Sequence, residues 1–252
     1  MKLLRKSLLV ALFVINSGLA QPPALQGTSK SPRLPGIDQV LERLITAVGG
    51  DEALRRHSTR RIVGEIEIEG MNITGSFESI ASTPARSVTS FDIPGIGQFR
   101  QVVDGEKGWA IDPLSGLREL AGAELSAYIR DADFQRELNF RKLFSRLEVV
   151  SRVRLGDQEA FKVNAIPALG EAEQFYFDTT SGLLIRHDTR RESPQGVLPS
   201  ESFFSDFRIV DGVRLPMRIR QQTPAFTINL TFREVSHNIS IDEAKFVRPS
   251  AP

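Results

Sequence analysis

Ala172–Glu192, AEQFYFDTTSGLLIRHDTRRE, decides the reading of this chain. Phe175 and Phe177 alternate with Gln174 and Tyr176, the two-residue period of a strand with one apolar face. Asp178 to Gly182 then supplies turn residues, and Gly182 can take the positive φ that closes a bulged hairpin. The chain returns through Leu183, Leu184, Ile185 and Arg186. The same logic recurs just downstream in FFSDFRIVDGVRLPMRIR, residues 203–220, with Asp211-Gly212 as its turn.

Reading outward, the same period extends both ways. Ile62, Ile66 and Ile68 point one way and Glu65, Glu67 and Glu69 the other, so this strand has one buried and one wet face. Gly70-Met71-Asn72 and Asp104-Gly105 mark further turns. Downstream, residues 193–199 read as a loop, and Phe203, Phe207 and Ile209 share a face opposite Ser202 and Asp206. Phe226, Ile228, Leu230 and Phe232 alternate with Thr227, Asn229, Thr231 and Arg233. Two segments break the period. Leu41, Leu44, Ile45 and Val48 recur at helical spacing after Asp38, a candidate cap, and Gly49-Gly50 ends that helix. Between Gly122 and Leu147, Leu125, Ile129, Ala132, Leu138 and Leu143 also follow helical spacing. The expectation is a mainly β chain of about ten strands. No helix links neighbouring strands at regular intervals, so the sheet is single, curved and antiparallel, with an N-terminal helix and a helical insert around 122–147 laid across it as a lid.

Residues 1–20 read as a secretory signal: Lys2, Arg5 and Lys6, an apolar run from Ser7 to Ile15, then Gly18 and Ala20 at the small-residue positions of a cleavage site. Residues 21–36, rich in Pro, Gly, Ser and Gln, read as a flexible leader, and 37–252 as one domain. Removal of the three basic residues of the signal lowers the bases from 32 to 29 against 31 acids, so the remainder carries −2. That balance gives no electrostatic reason to expect nucleic acid. There is no cysteine, hence no disulfide framework. The expected address is the periplasm or the surrounding medium, with no stable membrane insertion after cleavage.

Chemistry-bearing patterns are sparse. His57, His187 and His237 sit in no metal-ligand spacing, and no metal or cofactor is expected. No G-x-S-x-G elbow or complete dinucleotide loop occurs. Asp178 and Asp211 open turns, where Asp bonds the local backbone, so no catalytic residue is assigned and the chain reads as no enzyme. His187 reads as a surface histidine. The arginines between Arg186 and Arg220 read as cross-strand partners of acids on an outer face. The aromatic balance stands out, with 16 Phe against 2 Tyr and 1 Trp. A sheet curled on itself would line a cavity with these rings, suited to an acyl chain, or would fill with them as a solid core.

VLERLITAVGGDEAL (40–54), RIVGEIEIEG (61–70), FYFDTTSGLLIR (175–186) and SDFRIVDGVRLPMRIR (205–220) together resemble the LolA/LolB-like superfamily of outer-membrane lipoprotein-sorting proteins, from about Val40 to Phe246. The resemblance implies an incomplete (half) β-barrel, curved round a hydrophobic cavity and lidded by helices. It implies a periplasmic role in binding a lipid or the acyl chains of a lipoprotein. The chain lacks the lipobox cysteine of the membrane-anchored receptor. On this reading Phe175, Phe177, Phe203, Phe207, Phe226, Ile228, Leu230 and Phe232 line the concave face, and Leu138, Phe140, Leu143 and Phe144 belong to the lid. The partner is a lipid or acylated lipoprotein, with an envelope protein as a further one. The alternatives are a non-catalytic interaction or scaffold module with a filled core and, third, an enzyme on the same fold.

Overall fold

The computed structural model describes residues 33–113, 115–193 and 196–249. The expected signal, and the leader as far as residue 32, lie outside them. Among the described residues thirteen strands form one antiparallel sheet. They are β1 (Thr59–Ile68), β2 (Ile73–Ser82), β3 (Arg86–Ile93), β4 (Gly97–Asp104), β5 (Lys107–Asp112), β6 (Gly116–Glu119), β7 (Arg146–Leu155), β8 (Gln158–Ile166), β9 (Glu173–Asp178), β10 (Leu184–Ser193), β11 (Gly196–Val210), β12 (Val213–Gln222) and β13 (Thr227–His237). The spatial order is β6-β5-β4-β3-β2-β1-β13-β12-β11-β10-β9-β8-β7. The sheet is not closed: β6 and β7 are its edges, and β1–β13 is the seam joining two runs of hairpins. The count exceeds the expected ten by three; β6 is only four residues long, and residues 196–199, expected as loop, open the long strand β11.

Among the described residues four α-helices serve this sheet: α1 (Ile37–Ala47), α2 (Asp51–Arg55), α3 (Gly122–Ala132) and α4 (Arg136–Leu143). The last two are the expected insert, and they connect the two edge strands. Gly36, not Asp38, is the N-cap of α1; its N–H donates to Gln39 Oε1 while Asp38 pairs with Arg141 of α4. The end of α1 packs tightly on the β11–β12 turn, where Arg214 N–H donates to the Val48 carbonyl at 2.8 Å. A Cβ at Gly49, whose φ is +125°, would stand 2.2 Å from the Gly212 carbonyl oxygen, so only glycine fits that approach.

The main core lies on the inner face of the C-terminal half of the sheet. Val40, Leu41 and Leu44 of α1 and Leu54 of α2 pack with Phe140 and Phe144 against Val163, Phe175, Phe177, Leu183 and Val213. Leu138, Leu143 and Leu147 join at its margin. Phe140 meets Phe175 edge-on at 4.9 Å and Phe144 does so at 5.5 Å, an arrangement worth about 0.5–1.5 kcal/mol per pair beyond burial. A smaller cluster covers the opposite face of the N-terminal half. There Ile80, Val88, Val102 and Trp109 lie under Phe246 and Ile241 of the C-terminal segment. Arg86 straps that segment down, stacked 4.1 Å from the Phe246 ring and paired with Glu243 at 2.7 Å.

Candidate functional site

The inner face of the N-terminal half is built from the same alternation and has no helical plug. Ile66 and Ile68 face inward beside Leu230 and Ile228, their cross-strand partners on β13. Phe91 of β3 pairs with Phe99 of β4, and Ile93 completes the cluster. Next come Thr89 and Gln101, then Ala110 opposite Gln101 on β5. These side chains wall a pocket of about 520 Å³, almost wholly apolar, within the size range of small-molecule sites. Its mouth is rimmed by Met71, Ile96 and Phe226, one from each of three hairpin turns. Its inner, polar end is closed by Arg118, which donates two 2.7 Å hydrogen bonds to the Glu124 carboxylate of α3. The hydrogen bond to Glu124 outweighs burial and raises the Arg118 guanidinium above its ordinary range, so the pair stays charged. Gly108 lets α3 approach: a Cβ there would meet Leu120 and Leu125 at 2.9 Å.

The residues expected on one concave face are distributed over three environments. Phe226, Ile228 and Leu230 belong to the pocket or its wall. Phe232 faces inward beside Phe77 at 5.6 Å, near the seam. Phe175 and Phe177 face inward but are sealed, 0% and 1% exposed, beneath Phe140 and Phe144. Phe203 is a correction. Phe203 pairs with Arg186, whereas Ser202 pairs with His187, which in turn pairs with the inward Phe175. Phe203 therefore stands on the outer face, stacked 5.0 Å from the Arg186 guanidinium. Phe207 follows it in the alternation, but its ring packs both against the main core and against a small outer cluster of Ala160, Tyr176 and Ile185. Alternation correctly groups Phe203, Phe207 and Ile209, but the inward positions of β11 belong to Ser202 and Phe204.

His187 is the second correction. It is buried and faces inward, its ring stacked 4.1 Å from Phe175. Its Nε2–H donates to Glu173 at 2.7 Å, and Arg130 of α3 donates to the other Glu173 oxygen at 2.8 Å. Burial pushes the imidazole down from its ordinary value, so it is neutral. Burial alone would raise the Glu173 carboxyl. The hydrogen bond from His187 and the field of Arg191 and Arg136 prevail and hold it well below the usual carboxylate range. This cluster ties α3 to β9 and β10; it is a fastening between lid and sheet, away from the pocket. No sequence spacing signals it, because Arg130, Glu173 and His187 converge only through the fold. His57 and His237, also distant in sequence, stack at 4.2 Å, and His237 Nδ1 lies 3.0 Å from Asp211 Oδ2. Among the described residues no group of three or more His, Cys, Asp or Glu could hold a metal ion.

No protein-family profile and no curated protein matches the sequence. Solved structures do match. A LolA superfamily protein of Nitrosomonas europaea aligns with a TM-score of 0.57 at 11% identity, over 85% of this chain and 98% of its own. The fold is LolA-like. A DUF1329 family protein of Desulfovibrio piger gives a TM-score of 0.55 at 12% identity, over 84% of this chain and 97% of that one. A domain of the outer membrane lipoprotein-sorting type from Vibrio parahaemolyticus gives 0.51 at 10% identity, over 82% and 97%. At these identities the likeness speaks for the fold.

Proposed function

We propose that this protein is an exported, non-enzymatic binding protein that holds a lipid, or the acyl chains of a lipoprotein, in the pocket of the N-terminal half-sheet. The observation that carries this reading is the pocket itself: an apolar lumen of about 520 Å³ walled by Ile66, Ile68, Phe91, Ile93, Phe99 and Ile228. It offers hydrocarbon-lined space and few polar groups, as an acyl chain requires. Phe226 and Leu230 extend that surface. Phe175, Phe177 and the lid residues Leu138, Phe140, Leu143 and Phe144 act as its fixed backing. The LolA-like fold supports a carrier role, and so does the outer membrane lipoprotein-sorting character of the Vibrio domain. Export to the periplasm rests on the basic, apolar and small-residue order of positions 1–20. Among the described residues no helix is long and apolar enough to cross a membrane.

The test is to purify the protein, extract it with organic solvent and analyse the extract by mass spectrometry. A stoichiometric lipid or acyl peptide is expected. A protein that is empty, and that also fails to take up a fluorescent fatty acid, would overturn the reading. That outcome favours the non-catalytic interaction module, for which the filled C-terminal half is the supporting observation.

A further inference from the structure

The two ends of the sheet differ in chemistry. At one end the chain turns at 69–72, 94–96, 167–172 and 223–226, and β11 begins there. Met71, Ile96, Leu169, Val197, Leu198 and Phe226 stand at this end, each 39–56% exposed. At the other end the turns run through Asp104-Gly105-Glu106, Gly156-Asp157, Asp178 to Gly182 and Asp211-Gly212. There Ile209 is the one large apolar side chain exposed near a turn among the described residues. Exposed apolar side chains gathered in one place mark an interaction surface.

We infer that the apolar end is a docking surface for a lipid bilayer. The inference rests on the pocket reading in one respect: the pocket opens between Met71, Ile96 and Phe226, so a lipid entering it has to leave its bilayer through this mouth. Two further observations select a bilayer as the occupant. Each of these three turns offers a single apolar knob on its own hairpin, which acyl chains accommodate without a complementary shape. The charged side chains in the four turns at this end are Glu69, neutralised by Arg220 at 3.0 Å, and Glu171, 3.9 Å from Arg190. The surface therefore engages by burying apolar area at the headgroup boundary, with little contribution from anionic lipid.

The experiment is flotation with vesicles of phosphatidylethanolamine, with and without phosphatidylglycerol, at low and high salt. The chain floats with both compositions at both salt levels. Met71→Glu/Ile96→Glu/Phe226→Glu lowers the bound fraction at least tenfold. Val197→Glu/Leu198→Glu, outside the pocket lining, also lowers it, while uptake of a fluorescent fatty acid from solution stays as in the parent. The apolar run at positions 8–15 is common to parent and variants, so their difference isolates the hairpin tips. Equal flotation of parent and both variants overturns the inference, as does binding that needs phosphatidylglycerol and vanishes in salt. A parent chain that takes up fatty acid yet never floats also overturns it, leaves the pocket reading standing and assigns the tips to a protein partner. Flotation without any fatty-acid uptake does the reverse: the docking surface stands and the pocket reading fails.

Discussion

The two halves of the inner face are made of similar strands and end in opposite states. On the C-terminal side, Val163, Phe175 and Phe177 are covered by α1, α2 and α4 and leave no room. On the N-terminal side, Ile66, Ile68, Phe91 and Phe99 are equally apolar, but α3 meets this half at one end, through Arg118–Glu124 and Leu125 over Gly108, and a pocket remains. Whether a curved sheet holds a core or a cavity is thus set by the residues brought to cover it. The composition of the strands does not decide it. The filled half gives the open half a rigid wall at the β1–β13 seam.

The contrast can be broken first by stability. Phe175→Ala should cost about 3–5 kcal/mol in denaturant unfolding, because its ring is fully enclosed by Phe140, Phe144 and Phe177. Phe91→Ala, in the pocket wall, should cost under about 2 kcal/mol, since its ring borders the pocket on one side. Equal costs would mean that the two halves are packed alike. Next, Glu173→Gln should cost about 3 kcal/mol, because it leaves Arg130 buried without its counter-charge.

The same cluster sets a pH dependence. Glu173 has a depressed folded value, so its contribution is present above its unfolded value of about 4.3 and is lost as pH falls through the folded one. His187 is also depressed. Its contribution is present above about 6.5, and the unfolded chain gains it a proton as pH falls below that. Unfolding midpoints measured from pH 8 to 3, in roughly unit steps, should therefore show His187→Asn flattening the upper part of the decline and Glu173→Gln the lower part. Profiles parallel to the parent would remove the cluster from the account.

Much of this fold was legible and some of it was not, for definite reasons. The alternation at 62–68 and 226–232, the turns at Asp104-Gly105 and Asp211-Gly212, and the helical period after Gly122 each depend on near neighbours in sequence, and each marks a real element. Phe203 shows where that information ends. A two-residue period groups side chains by face, while the inward direction is fixed by pairing with β10 and β12. His187 looked like a surface residue because its partner Glu173 lies 14 positions upstream on β9, and Arg130, which also bonds Glu173, lies 57 positions upstream on α3. The open pocket was legible only as an excess of phenylalanine, since an empty space has no residue of its own.

Two smaller effects sharpen the boundary between the halves. Gly64→Ala should destabilise by about 1–3 kcal/mol. A Cβ there would stand 2.5 Å from the Phe77 ring and 2.2 Å from the Thr231 carbonyl oxygen, at the seam. A neutral result would show the seam to be loose. Phe226→Ser, at the mouth and 47% exposed, should change stability by no more than about 0.5 kcal/mol while weakening fatty-acid uptake. Unchanged uptake would take the mouth out of the binding surface.

The most direct measurement is uptake of a fluorescent fatty acid by the parent chain and by Ala110→Trp, with folding checked by circular dichroism. Ala110 lines the pocket, so an indole there fills the lumen from β5 and leaves the C-terminal core untouched. The account predicts saturable uptake by the parent and a loss of at least about tenfold, or about 1.4 kcal/mol, in the folded variant. Uptake by Ala110→Trp equal to that of the parent would place the ligand elsewhere and contradict the division of the inner face into a filled half and a binding half.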